Sequence, residues 1–157
     1  METLNLPKYQ FRTKQEEGKF FILDEQRKKY VKLTPEEWVR QHMVKYLINE
    51  RSYPSQLIVN EGMVEVNGMG KRFDSVIFDR QGKPKLVAEY KATSVKITQK
   101  TFDQIASYNF KLHVDYLLVS NGLQHYCCKI DWSNNSYQFL QGVPTFAELI
   151  GEKKQEQ

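Results

Sequence analysis

Two neighbouring β-prone runs do most to limit what this chain can fold into. The first, Lys71-Arg72-Phe73-Asp74-Ser75-Val76-Ile77-Phe78-Asp79, meets a turn holding Gly82 and Pro84, and the second, Leu86-Val87-Ala88-Glu89-Tyr90-Lys91-Ala92, follows. Side chains along a strand alternate between faces, so Glu89 and Lys91 point one way and Tyr90 the other. A hairpin connection lays Asp74 beside that pair. The second run is apolar enough to be central in a sheet, which leaves Glu89 partly buried, and strands disfavour Asp. Two carboxylates and an ammonium among apolar residues are costly unless something pairs them. Two answers are open at this point: ion pairs of the carboxylates with Arg72 or Lys91, or a divalent cation held between them.

The flanking sequence supplies layers for such a hairpin. Residues 1–33 are polar with β-prone pieces at 19–23 and 29–33, read as an N-terminal hairpin or arm. Thr34 as N-cap, Pro35 at the first helical position and the acids Glu36 and Glu37 open a helix. Its apolar residues Trp38, Val39, Met43, Tyr46 and Leu47 recur at helical spacing, and the pattern ends between Asn49 and Ser52. Strands are expected at about 57–66, 71–79 and 85–93, then a helix at about 98–112 and a strand from Asp115 to Ser120. Asn121-Gly122 signals a turn. Residues 123–131 and 136–141 read as a closing hairpin, Pro144-Thr145 starts a short helix, and 152–157 reads as a frayed tail. The expectation is a single α/β domain over 1–157: an arm at 1–33, a core at 34–122, and a closing hairpin and helix at 123–151. Its centre is a mixed β-sheet flanked by helices, with extra N- and C-terminal strands.

Composition narrows the function classes. With 157 residues, 40% of them hydrophobic and 13% aromatic, the chain can bury a core. A net charge of +4 permits contact with a polyanion without demanding it. Cys127 and Cys128 are adjacent, so they project to opposite strand faces and read as buried thiols of a reducing compartment. No leader opens the chain, and no apolar run nears the roughly 18 residues of a membrane span, so a cytoplasmic protein without membrane partners is expected. His42, His113 and His125 are scattered, without zinc or nucleophile spacing. Gly-rich phosphate loops, Gly-x-Ser-x-Gly and helicase-type motifs are absent.

Asp, Glu and Lys converging on one point suit metal-assisted phosphodiester hydrolysis, although the spacing by itself is a weak pattern. Two carboxylates can hold Mg²⁺ with positions left for water and a phosphate oxygen, and the cation polarises the phosphoryl group. The ammonium can orient the attacking water or stabilise charge developing on phosphorus. On the first helix, Thr34-x-x-Glu37 fits a capping box, so Glu37 takes the structural place and Glu36 the possible place at the site. Solvated first-turn acids are the alternative for both. Gln104 and Tyr108 lie one turn apart on one helical face, where Tyr108 could equally be core. Lys96, Lys100 and Lys111, with Lys91, make 91–111 locally basic, as a phosphate-facing surface or a solvated lysine face.

Taken together, the residues resemble the PD-(D/E)XK nuclease superfamily, and within it the family named for the N-terminal domain of type I restriction enzyme R subunits. The resemblance runs from about Asp24 to Asn121. It is carried by Leu33-Thr34-Pro35-Glu36-Glu37-Trp38-Val39-Arg40-Gln41, Lys71-Arg72-Phe73-Asp74, Ala88-Glu89-Tyr90-Lys91-Ala92, Phe102-Asp103-Gln104-Ile105-Ala106-Ser107-Tyr108-Asn109 and Tyr116-Leu117-Leu118-Val119-Ser120-Asn121-Gly122. It implies a restriction-endonuclease core and a Mg²⁺-dependent deoxyribonuclease, with Mn²⁺ as a substitute. Asp74 and Glu89, with the Tyr90 carbonyl, would hold the metal, and Lys91 would be the catalytic lysine. Glu36 would supplement the site, and Gln104 and Tyr108 match a Gln-x3-Tyr motif beside it. Arg72, Lys96 and Lys100 are candidates for contact with DNA. The implied partners are DNA and other restriction-system subunits or a second copy. The family's proline-aspartate is Phe73-Asp74 here. R subunits carry an ATP-dependent motor behind this domain, and 157 residues leave no room for one. A stand-alone relative or a fragment is therefore expected, with a non-cleaving nuclease-fold module that binds DNA or partners as the alternative.

Overall fold

The computed structural model describes residues 2–152; the expected frayed tail lies outside them beyond Glu152. Where the sequence suggests an arm, three strands form an antiparallel sheet: β1 (Thr13–Glu16), β2 (Lys19–Asp24) and β3 (Lys29–Lys32). Lys14-Gln15 escaped pattern reading because every residue of β1 is exposed, so nothing alternates.

Helix α1 (Pro35–Arg51) starts as expected, with the Thr34 hydroxyl accepting the Glu37 N–H at 3.0 Å. It ends on Ser52 in the left-handed region, φ 63°. A single 3₁₀ turn (Ser55–Leu57) then leads into the main sheet. That sheet runs β4 (Ile58–Val66), β5 (Met69–Phe78), β6 (Pro84–Tyr90), β7 (Tyr116–Ser120), β8 (His125–Asp131) and β9 (Ser136–Phe139), in chain order. All neighbours are antiparallel except β6 and β7. Their parallel pairing needs a crossover, and α2 (Gln99–Leu112), capped by Thr98, supplies it. A short α3 (Phe146–Ile150) closes the described chain with a capping box of Thr145 and Glu148.

The sheet is buried on both faces. Val39, Met43 and Leu47 of α1 pack on Ile58, Ile77, Leu86, Ala88, Tyr90 and Leu118, with Phe146 and Leu149 beside them. Phe102, Ile105 and Ala106 of α2 cover Phe73, Val76, Val87, Leu117 and Val119. Cys127 belongs to the first layer and Cys128 to the second; both are buried and free. Among the described residues no helix is long and apolar enough to cross a membrane.

One irregularity shapes the site. Strict alternation would put Phe73 and Val76 on opposite faces, yet both lie in the α2 layer, while Ser75 bonds Asn60 and Tyr90 on the α1 side. The same slip occurs in β4, where Ile58 faces α1 and Val64 faces α2. Between them Glu61, in register with Asp74, holds φ 58°, the left-handed conformation a non-glycine residue rarely takes. Gly62 follows because a β-carbon there would meet Val76 Cγ2 at 2.8 Å. The hairpin therefore exchanges faces at Asp74.

Candidate functional site

The register that pairs Ser75 with Ala88 carries Asp74 opposite Glu89 one step on, at the end of β6. The Tyr90 backbone N–H donates to Asp74 Oδ2 at 2.7 Å and fixes that carboxylate on the edge of the strand. Glu89 lies within hydrogen-bonding reach of it, with 14% of its side chain exposed. Burial, and next the Asp74 charge, push the Glu89 carboxyl up to about 8; Lys71 and then Lys91 pull it back in part. Lys91 is the residue after β6, and its N–H donates to the Ser120 carbonyl at 2.8 Å, which ties it to the end of β7. Asp74 and Glu89, with Lys91 near enough for its charge to act on Glu89, thus lie where the two parallel strands end, the side of an open sheet where ligands collect.

Glu37 takes a structural place, as expected, but not through the carboxylate of a capping box. Glu36 is exposed, whereas Glu37 is buried. The capping interaction uses only the Glu37 N–H, because the Glu37 carboxylate is engaged elsewhere. It accepts from Arg40 Nε at 2.9 Å and Nη2 at 2.7 Å, from Arg27 Nη2 at 2.8 Å and from Gln41 at 2.9 Å. A Thr-x-x-Glu spacing signals a capping box only if nothing stronger competes for the Glu, and two arginines do. Arg40 in turn donates Nη1 to Glu61 at 2.7 Å and to the Asp74 carbonyl at 2.8 Å. It clamps the point where the hairpin exchanges faces.

Behind the site this network continues. Asp24, fully buried, accepts from Arg27, Gln41 and Asn60; Asn60 accepts from Ser75, and Ser75 from the Tyr90 hydroxyl. Burial alone would raise the Asp24 and Glu37 carboxyls, but these hydrogen bonds and the arginine charges override it and hold both below the usual range.

Other expected residues are placed as follows. Tyr108 is 37% exposed and its ring lies 4.7 Å from Lys71 Nζ, which is also 3.6 Å from Glu89 Oε1. Gln104 is exposed, and among the described residues no side-chain hydrogen bond joins it to Asp74 or Glu89. Arg72, Lys96 and Lys100 are exposed. Sequence reasoning missed Lys71, which alternation places opposite Asp74 until the face exchange brings it across. Arg40 was missed as well, because its task is a backbone carbonyl that carries no signal in the sequence.

Among the described residues no three His, Cys, Asp or Glu side chains gather as a metal cluster. The donor chemistry nonetheless fits a hard cation. Mg²⁺ is commonly held by one or two carboxylates plus water and phosphate oxygens, and the like charges of Asp74 and Glu89 raise the cost of leaving them without one.

Residues 35–144 match the family model described as the type I restriction enzyme R protein N terminus (HSDR_N). Among solved structures, a fragment assigned as the HsdR subunit of a type I restriction enzyme from Vibrio vulnificus YJ016 superposes with a TM-score of 0.53 at 22% identity. The match covers 76% of this chain and 25% of that one. A protein of DUF820 from Anabaena variabilis ATCC 29413, assigned as a nuclease, gives 0.49 at 14% identity over 91% of this chain and 87% of its own. The chain therefore spans about a quarter of the HsdR fragment. No curated protein sequence matches it significantly.

Proposed function

Since the chain belongs to the family of type I restriction enzyme R protein N-terminal domains, we propose that it is a Mg²⁺-dependent nuclease domain of the PD-(D/E)XK kind, hydrolysing DNA phosphodiester bonds at the Asp74–Glu89 pair. One observation carries this reading. Glu89, largely buried at the end of β6, stands opposite Asp74 in the hairpin register, and two adjoining carboxylates weaken the fold unless they serve a ligand. Asp74 and Glu89, with the Tyr90 carbonyl at the end of β6, would hold the cation. A divalent cation there supplies Lewis acidity toward the phosphodiester.

The chain's own residues do the rest. Lys91 offers an ammonium that can orient the attacking water and stabilise the negative charge that grows on phosphorus. Water oxygen forms the new bond to phosphorus, the ester P–O bond breaks, and the departing oxygen leaves protonated. Arg72, Lys96 and Lys100 are exposed cations suited to the DNA backbone, which would make binding salt-dependent. Among the described residues no hydrogen bond or ion pair joins Glu36 or Gln104 to the carboxylate pair, and no step is assigned to them. A cytoplasmic location is part of the same proposal.

The test is nicking of plasmid DNA in Mg²⁺ or Mn²⁺, compared with Asp74→Asn and Lys91→Ala. Metal-dependent nicking that both variants lose supports the reading. A folded wild type that cleaves no DNA with either metal sinks it for the chain alone. That second outcome favours a nuclease-fold module that binds DNA and restriction-system partners, a reading to which the quarter-length match to the HsdR fragment lends weight.

A further inference from the structure

Strand alternation puts Lys71 away from Asp74, and the family resemblance gives it no role. Yet among the described residues it is the cation paired with Glu89, Nζ to Oε1 3.6 Å. That distance exceeds the 2.7–2.9 Å of a charge-assisted hydrogen bond, so the pair is loose. The ammonium has further support. It sits 5.0 Å from the centre of the Phe73 ring and 4.7 Å from that of Tyr108, both within cation–π range. Its side chain is 27% exposed on a flexible four-carbon stem. Lys71 can therefore let go of Glu89 without losing its place.

We propose that Lys71 is a resident counter-cation: it keeps a positive charge beside the carboxylate pair while no divalent cation is held, yields when one binds, and then contacts a phosphate of the DNA from its seat on Phe73 and Tyr108. This rests on the metal-dependent reading above. It gives Tyr108 a physical task, as a pedestal for the ammonium, and it explains why the slip of faces at Asp74 matters. Without that slip Lys71 and Phe73 would lie on the α1 side, away from Glu89.

Two titrations test it on the whole chain. Lys71→Met keeps the aliphatic stem over the rings and removes the charge; Lys71→Gln is the second variant should the first fold poorly. Lys19→Met, an exposed lysine on the β1–β2 hairpin, controls for net charge. Calorimetry with Mn²⁺ and no DNA should show Lys71→Met binding roughly 3- to 10-fold tighter than wild type, with Lys19→Met unchanged. Binding of a short duplex in Ca²⁺, followed against salt, should show Lys71→Met losing about one unit of the log–log slope. Unchanged or weaker Mn²⁺ binding, an equal gain in Lys19→Met, or an unchanged salt slope overturns the role of Lys71, while wild-type metal binding lost in Asp74→Asn keeps the proposed function standing. Metal binding absent from wild type and Lys71→Met alike removes the proposed function, and this inference with it.

Discussion

Behind the sheet, against α1, Asp24, Arg27, Glu37 and Arg40 are matched almost bond for bond; in front, toward α2, Glu89 stands beside Asp74 with one loose ammonium near it. Both groups are largely removed from water; the rear one joins the β2–β3 hairpin to α1, and the front one lies on the β5–β6 hairpin. Their carboxyls nevertheless shift in opposite directions, Asp24 and Glu37 down and Glu89 up. Burial cannot explain the difference, because it acts on all of them in the same sense. What differs is whether the chain supplies the compensating charge itself. The rear cluster is complete and serves the fold. The front pair is incomplete in a way that a ligand would repair, and Arg40 joins the two by gripping the Asp74 carbonyl from the rear.

The largest break expected is in activity. Asp74→Asn and Lys91→Ala should each lower metal-dependent nicking by about 100-fold or more while the folded protein persists in thermal unfolding. Arg40→Ala should do the reverse and act first on stability, by about 3–5 kcal/mol in denaturant unfolding, since it leaves Glu37 buried with half its partners. Glu36→Ala, one residue from Glu37 but exposed, should stay within about 0.5 kcal/mol.

Stability against pH separates the clusters by sign. Asp24 and Glu37 are held low, so their contribution is present above the ordinary carboxylate range and is lost as pH falls through their folded values. Glu89 is held high, so its contribution is full below its ordinary 4.5 and is lost as pH rises through about 8. Glu89→Gln should therefore stabilise the protein by about 1–2 kcal/mol above pH 8 and change little near pH 5. An equal effect at both ends would mean that Glu89 carries no unmatched charge. The smallest effect concerns the surface. Lys96→Ala should weaken DNA binding evenly across sequences and reduce the salt slope by about one.

Much of this was legible before the structure. Thr34-Pro35, the Thr98 region and Asn121-Gly122 mark boundaries through local capping and turn chemistry, and the apolar run around Val87 marks a central strand. Asp74 and Glu89 could be placed side by side because a hairpin register is a short-range property. What escaped was everything set at long range. What occupies the Glu37 carboxylate in place of a capping box depends on Arg27, ten residues away from Glu37 in the chain and on a different element. Lys71 depends on a left-handed Glu61, and nothing in the residue type announces that conformation. Helical spacing puts Gln104 and Tyr108 on one face, and spacing fixes a face, not how far that face reaches.

The central claim is that Asp74 and Glu89 are a pair left unmatched by the fold because a divalent cation completes it. Titration calorimetry with Mn²⁺, run below and above about pH 8, to which burial and Asp74 push the Glu89 carboxyl, and in buffers of different ionisation enthalpy, tests it most directly. The account predicts binding that strengthens as pH rises to about 8, releases protons below that value, and disappears in Asp74→Asn. Folded protein that binds no Mn²⁺ at millimolar concentration, or binds it equally well in Asp74→Asn, would contradict it.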